Sequence, residues 1–117
     1  MTHDEPSRDI AALIDIDVAC RRVSEFVTGL SREAFVKDVK THSAVLYEIL
    51  VIGEAVRRIS ADFQLRNPDV PWRSIVGMRN RVVHQYDSVD LSLIWDAVQT
   101  DIPALRAALI DHLPRRS

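Results

Sequence analysis

The chain has 117 residues, 47% hydrophobic and 27% charged, with a formal net charge of −2 and an isoelectric point near 6.0. This composition excludes disordered and fibrous proteins and indicates a single globular domain over residues 1–117. The slightly acidic balance gives no support to nucleic-acid binding through overall charge, so any such contact requires a local basic patch.

The N-terminal segment and the cysteine content point to a cytoplasmic protein. Residues 1–7 are polar, lack the apolar stretch of a signal peptide and are expected to be flexible. No apolar run reaches the length of a membrane span. Cys20 is the single cysteine, so it has no partner for an internal disulfide, and a small core residue is the favoured interpretation over a reactive thiol.

The first predicted helix runs from Arg8 to about Thr28, and Gly29 stops it. Its apolar residues recur at alternating steps of three and four, the pattern of a helix that packs in a bundle. The stripe contains Leu13, Ile16, Cys20, Val23, Val27 and Leu30, widened by Ile10, Ile14 and Phe26.

Two helices are predicted next. Ser31 caps a short one, from Arg32 to about Lys37. A long one begins between Thr41 and Ser43 and reaches about Asp62. Gly53 lies in the middle of this long helix, where glycine costs about 1 kcal/mol relative to alanine. Close approach of another helix is one reason to tolerate it.

The segment from Asn67 to Pro71 predicts a turn, and a fourth helix begins at Pro71 and Trp72 and ends between His84 and Tyr86. Asp90 caps a last helix, from Leu91 to about Leu113, in which Pro103 predicts a kink. The sequence therefore predicts an all-α, up-down antiparallel bundle of four main helices plus one short helix.

The polar residues of the fourth helix are the candidate site. Five of them fall within eight positions: Arg79, Asn80, Arg81, His84 and Tyr86. Asn80 and His84 are four apart and share a helix face. Arg79 and Tyr86 share one too if the helix continues, whereas Arg79 and His84 are about 140° apart. Val82 and Val83 are expected to pack this segment into the bundle.

These groups suit phosphoryl transfer within RNA. Histidine can take the proton of a ribose 2′-hydroxyl near neutral pH, which makes His84 the candidate base. The Arg79 guanidinium can meet the developing charge on the phosphate with two hydrogen bonds, and Asn80 can hold the imidazole or the phosphate. One histidine supplies a base or an acid but not both, so a homodimer with two such segments is expected. The alternative is a capping histidine and solvated arginines.

Other site chemistries lack their sequence patterns. The chain has no glycine-rich phosphate loop, no Cys and His pair at zinc spacing, and no arrangement that suggests a Ser-His-Asp triad. The four histidines are scattered along the chain, at His3, His42, His84 and His112. We therefore expect neither a bound metal nor a cofactor.

Three segments resemble the HepT-like (DUF86) branch of the HEPN superfamily, and the resemblance extends from about Arg8 to Leu113. They are Ile52-Gly53-Glu54-Ala55, then Pro71 to Tyr86, then Val89-Asp90-Leu91 with Ile94-Trp95. The family signature is arginine, a polar residue, three further residues, histidine, one residue and tyrosine. Arg79, Asn80, His84 and Tyr86 match it without departure.

The resemblance implies a function beyond what the residues alone indicate. HepT-like proteins are toxins of type II toxin–antitoxin pairs and metal-independent endoribonucleases that act on cellular RNA, including tRNA. They form homodimers in which the motifs face a shared cleft. Their partner is a minimal nucleotidyltransferase (MNT-type) antitoxin, which can attach AMP to the motif tyrosine, Tyr86 by position. The alternative is a non-catalytic helical subunit that only binds a nucleotidyltransferase.

Several further residues are weaker candidates. Glu54 either pairs with Arg79, or with another motif residue, and orients it, or is a plain exposed glutamate. Arg73 and Arg81 are possible supporting residues. Arg57 and Arg58 are either phosphate contacts or, as is the default for arginines on a helix, solvated side chains. Trp72 and Trp95 are expected in the core and not as stacking platforms for bases.

Overall fold

A computed structural model describes residues 5–114, and within them it contains helices and no strand. The helices are α1 (Glu5–Val27), α2 (Arg32–Lys37), α3 (Val39–Arg58), α4 (Ala61–Arg66), α5 (Trp72–His84), α6 (Leu91–Gln99) and α7 (Asp101–Leu109), followed by a short 3₁₀ turn, Ile110–His112. The predicted all-α bundle is confirmed. Residues 1–4, which include His3, lie outside the described residues. Helix α1 begins at Glu5, three residues before the predicted start.

Helices α1 and α3 form the centre of the bundle; α5 packs on α3, α7 packs on α1, and α2 contacts both α3 and α6. The predicted stripe of α1 is buried at Leu13, Ile16, Cys20, Val23 and Val27. The expected widening of that stripe is wrong, because Ile10, Ile14 and Phe26 are 37–42% exposed. None of the helices within residues 5–114 is long and apolar enough to cross a membrane.

The third predicted helix is in fact two helices. It ends at Arg58, and Ser60 caps the separate helix α4 by accepting a hydrogen bond from the Phe63 amide (3.1 Å). The buried Asp9 of α1 fixes this break, since its carboxylate accepts from the Ser60 amide (2.7 Å) and hydroxyl (2.8 Å). The prediction of a continuous helix to Asp62 is therefore wrong, and a contact with α1 is the reason.

The last predicted helix is divided at Thr100 into α6 and α7. Asp90 caps α6 as expected, accepting from the amides of Ser92 (2.9 Å) and Leu93 (3.4 Å). Pro103 lies in the first turn of α7, where a missing amide N–H costs no helical hydrogen bond. The proline that was expected to kink one helix instead stands at the start of a second one.

Glu48 is a charged side chain that the sequence pattern does not reveal. It lies on α3, only 4% exposed, and its Oε1 has no hydrogen-bond partner. Arg22 of α1 is the nearest cation, 3.8 Å from Oε2. Burial raises the pKa of the Glu48 carboxyl, and the Arg22 charge opposes this effect. The folded state therefore favours the protonated form more than the unfolded chain does.

The raised pKa of Glu48 predicts a pH dependence of stability. Below its unfolded pKa the carboxyl is neutral in both states and costs nothing. As pH rises through the folded pKa, the free energy of unfolding should fall. Glu48→Gln should remove this slope and be at least as stable as the wild type at pH 7, as measured by urea unfolding at pH 4 to 8. A Gln variant that is clearly less stable at pH 7 would contradict this account.

Candidate active site

Helix α5 carries the predicted motif, and two buried side chains, Ile75 and Val82, hold it against the bundle. The helix ends at His84, where the Gln85 amide donates to the Arg81 carbonyl. The predicted end between His84 and Tyr86 is confirmed. Tyr86 lies beyond the helix and is 52% exposed, so the condition for sharing a helix face with Arg79, a helix that continues to residue 86, is not met. Val83 does not pack inward as expected, since it is 44% exposed.

Gly53 allows α3 and α5 to approach closely at Arg79. A Cβ at residue 53 would overlap the Cβ and Cγ of Arg79, which are not the free end of that side chain. Leu46, seven residues before Gly53, lines a pocket with Tyr86, seven residues after Arg79, so the two helices are antiparallel. The expected reason for a glycine in mid-helix is confirmed.

The Arg79 guanidinium is held by two neighbours. Its Nη2 donates to Oε2 of Glu54 (2.9 Å) and its Nη1 donates to Oδ1 of Asn80 (2.9 Å). Glu54 also accepts from Nη1 of Arg57 (3.4 Å). Only 19% of the Arg79 side chain is exposed, against 56% for Glu54. The guanidinium is therefore fixed on the α3 surface, and its carboxylate partner is open to solvent.

Of the two interpretations of Glu54, the structure supports pairing with Arg79. Asn80 contacts Arg79, whereas the sequence suggested that its amide holds the imidazole or the phosphate. The Nε of Arg79 is buried without a hydrogen-bond partner. Such a donor costs free energy, so this position is maintained by its surroundings.

His84 and Arg79 do not converge within one chain. Because α5 remains helical through both residues, their side chains leave the axis about 140° apart. His84 is exposed in the last turn of α5. Arg73 is also exposed. Arg81 lines a groove of about 560 Å³ with residues of α6 and α7, among them Asp96 and Asp101. The motif residues thus lie on two separate faces of α5.

Tyr86 borders a small pocket of about 140 Å³ between the start of α3 and the segment that follows α5. Its lining includes His42, Ser43 and Leu46 of α3, together with Asp87, Val89 and Leu91. The Tyr86 side chain is therefore accessible from solvent.

The two tryptophans are partly buried against the core, as expected. The indole Nε1 of Trp72 donates to the Asn67 carbonyl (3.0 Å), and the Trp95 ring lies 5.3 Å from that of Phe35. Residues 5–114 contain no group of three or more His, Cys, Asp or Glu side chains placed to hold a metal ion. Of the two weaker arginine candidates on α3, Arg57 pairs with Glu54 of the site and Arg58 pairs with Asp15 of α1.

Comparisons with known proteins establish the family. Residues 16–111 match the family model described as Ribonuclease HepT-like. The chain therefore belongs to the HepT-like ribonuclease family, which confirms the resemblance. No solved structure matches the chain.

Three curated relatives are similar over most of their length. The "Probable ribonuclease HepT" of Thermococcus cleftensis is 35% identical, covering 90% of each chain. "Putative RNase MJ1380" of Methanocaldococcus jannaschii is 36% identical over 85% of this chain and 92% of its own. "Putative RNase TTE0752" of Caldanaerobacter subterraneus is 37% identical over 82% of this chain and 86% of its own.

Two glycines provide a matched test of the contact between α3 and α5. Gly53→Ala should lower the free energy of unfolding by about 1–3 kcal/mol, because the new methyl group displaces Arg79. Gly77→Ala on α5 should raise it by about 0.5–1 kcal/mol, because a Cβ there meets nothing within 4 Å and alanine favours the helix. Chemical denaturation measures both. Equal effects would contradict the role given to Gly53.

Proposed function

We propose that this protein is an endoribonuclease that cleaves RNA without a metal ion, through Arg79 and His84. The observation that carries the proposal is the fixed position of the Arg79 guanidinium. The aliphatic part of this side chain packs on Gly53, and the guanidinium donates hydrogen bonds to Glu54 and Asn80. A guanidinium that is already oriented can stabilise a phosphate transition state without first being ordered. The names of the relatives and of the family support the same activity.

The proposed reaction uses the neighbouring hydroxyl group of the RNA itself. His84 takes the proton of a ribose 2′-hydroxyl, and the 2′-oxygen attacks the adjacent phosphorus. The bond from phosphorus to the 5′-oxygen breaks, and that oxygen receives a proton from an acid. The products are a 2′,3′-cyclic phosphate and a 5′-hydroxyl. Arg79 meets the charge that develops on the phosphate oxygens.

Two observations support a homodimer as the active form. One chain supplies a single His84, and its Arg79 leaves α5 in a different direction. Exposed apolar side chains lie on the same helix faces as the pair formed by Arg79 and Glu54: Tyr47 (62% exposed), seven residues before Glu54, and Val83 (44%), four after Arg79. A two-fold axis through this surface would bury these groups and place two motifs at one cleft.

A non-catalytic subunit that binds a nucleotidyltransferase is the second candidate. The separation of Arg79 and His84 within one chain favours it, because a surface used only for docking needs no convergence of these groups. The two functions differ in whether purified protein cleaves RNA.

Cleavage of a labelled RNA in EDTA tests the main proposal. Arg79→Ala should lower the rate about 100- to 1000-fold, and His84→Ala about 100- to 10,000-fold. Arg79→Lys should fall between wild type and Arg79→Ala, because it keeps the charge but loses the two-pronged contact.

Arg66→Ala and His112→Gln are the controls, since they change the same residue types outside α5, in a pocket that Ile10 and Leu13 of α1 also line. Both should cleave at the wild-type rate. Cleavage that requires a divalent metal, or that survives both Arg79→Ala and His84→Ala, would contradict the proposal. A folded wild-type protein that does not cleave RNA would favour the second candidate.

The family resemblance extends the proposal to a toxin of a type II pair in the cytoplasm, acting on RNA such as tRNA and neutralised by an MNT-type nucleotidyltransferase. The exposed Tyr86 supports modification by that partner. Its phenolic oxygen would attack the α-phosphorus of ATP, forming O-AMP-tyrosine and releasing pyrophosphate. The added phosphodiester would place negative charge two residues from His84 and block the approach of RNA.

Modification of Tyr86 has a matched control, because the chain contains one other tyrosine, Tyr47. After co-expression with the partner, mass spectrometry should find one AMP on the wild type and on Tyr47→Phe, and none on Tyr86→Phe. Tyr86→Phe should also remain active in the presence of the partner. AMP on Tyr47, or neutralisation without any modification, would contradict this mechanism.

A further inference from the structure

A stripe of residues follows the outward side of α5, and one of them, Asn80, accepts a hydrogen bond from Arg79. It consists of Arg73, Gly77, Asn80 and His84, spaced by four, three and four residues, so all four lie within about 60° around the helix. All four are exposed. This stripe, called here the α5 track, is about 16 Å long at 1.5 Å per residue.

Gly77 has no packing role within the described chain. A Cβ there would meet nothing within 4 Å, in contrast to Gly53, where Arg79 fills the space. Its φ lies outside the left-handed region, so the backbone does not require glycine either. Glycine in an exposed helix interior costs about 1 kcal/mol relative to alanine. A partner that lies close to the helix backbone at Gly77 would account for this cost.

The charges of the α5 side chains indicate the chemical class of a partner at Gly77. Of the three arginines of α5, Arg79 is paired with Glu54 and Arg81 lines a groove with Asp96 and Asp101, whereas Arg73 is exposed on the track. The exposed arginines at the ends of α3 and α4, which are Arg57, Arg58 and Arg66, are paired with carboxylates. The ion pairs among residues 5–114 include neither Arg73 nor Arg81. On the track itself, Arg73 therefore offers an anion a positive charge that no ion pair among the described residues compensates.

We infer that the α5 track binds the sugar-phosphate backbone of single-stranded RNA next to the cleavage point, with Arg73 on a phosphate distant from His84 and Gly77 under the intervening backbone. The inference rests on the proposed function. The track is long enough for the chain to contact more than the scissile phosphate. Gly77 permits an approach that any side chain would obstruct.

A second copy of the chain fits the track less well. Two-fold packing of the tracks would place Arg73 and His84 against their own copies or against each other, and like charges in contact are unfavourable. The exposed apolar side chain of Val83 leaves α5 about 120° from Gly77, so it lies on a different face of this helix. RNA is therefore the occupant that the charge pattern favours.

The test is binding of a fluorescein-labelled single-stranded RNA 20-mer, followed by fluorescence anisotropy at several salt concentrations. The parent is His84→Ala, which keeps the RNA uncut. Arg73→Gln should weaken binding several-fold and reduce the slope of log K against log salt by about 0.7, as expected for one lost phosphate contact to a single strand. Gly77→Gln should weaken binding about tenfold or more, although it removes the free-energy cost of a glycine within the helix.

Two control variants add the same side chain elsewhere. Arg8→Gln removes an exposed arginine of α1, and Ala107→Gln enlarges an exposed small residue of α7; both should bind as the parent does. Thermal unfolding should show that Gly77→Gln is folded. Sedimentation velocity should show the same oligomeric state for parent and variants.

The outcomes distinguish failure of the α5 track from failure of the proposed function. If Arg73→Gln and Gly77→Gln bind RNA as tightly as the controls, while wild-type protein cleaves RNA, the track is wrong and the proposed activity stands. If Gly77→Gln changes the oligomeric state, the track is an interface between copies of the chain. If the parent binds no RNA and the wild type cleaves none, both the track and the proposed function fail.

Discussion

The contact between Gly53 and Arg79 fixes the arrangement on which the rest of the site depends. It brings α5 against α3 at a point where one helix has no side chain and the other has a long one. The aliphatic part of Arg79 fills the gap, and this leaves the guanidinium beside Glu54 and Asn80. One contact between two helices therefore packs Arg79, pairs its charge and orients its guanidinium, the candidate phosphate-binding group.

The same contact explains why the motif divides. Once Arg79 turns toward α3, the periodicity of a continuous helix directs His84 and Asn80 to other angles around α5. Asn80 bridges the two faces, since it lies on the outward track and still accepts from Arg79. In a two-fold dimer, the outward faces and the Arg79 faces of two chains could line one cleft, and this is how we reconcile the divided motif with the proposed chemistry.

Much of this fold could be predicted from the sequence, because the apolar spacing of α1, α3 and α5 identifies long helices. The break after Arg58 could not, since it depends on Asp9, a residue 51 positions before Ser60. The buried Glu48 could not either, because a carboxylate at that position gives the same local pattern as an exposed one. In the site, the residue types were evident from the motif. The partners of Arg79 depend on how two helices pack, and sequence spacing leaves that open.

The most direct test of the central claim is the chemistry of the RNA ends produced by purified wild-type protein in EDTA. Attack by the 2′-oxygen predicts a 2′,3′-cyclic phosphate on one product and a 5′-hydroxyl on the other, with neither end appearing for His84→Ala. The 5′-end is read by labelling with polynucleotide kinase without prior dephosphorylation. A 5′-phosphate and a free 3′-hydroxyl would show that water attacks the phosphorus, and would contradict the roles assigned to Arg79 and His84.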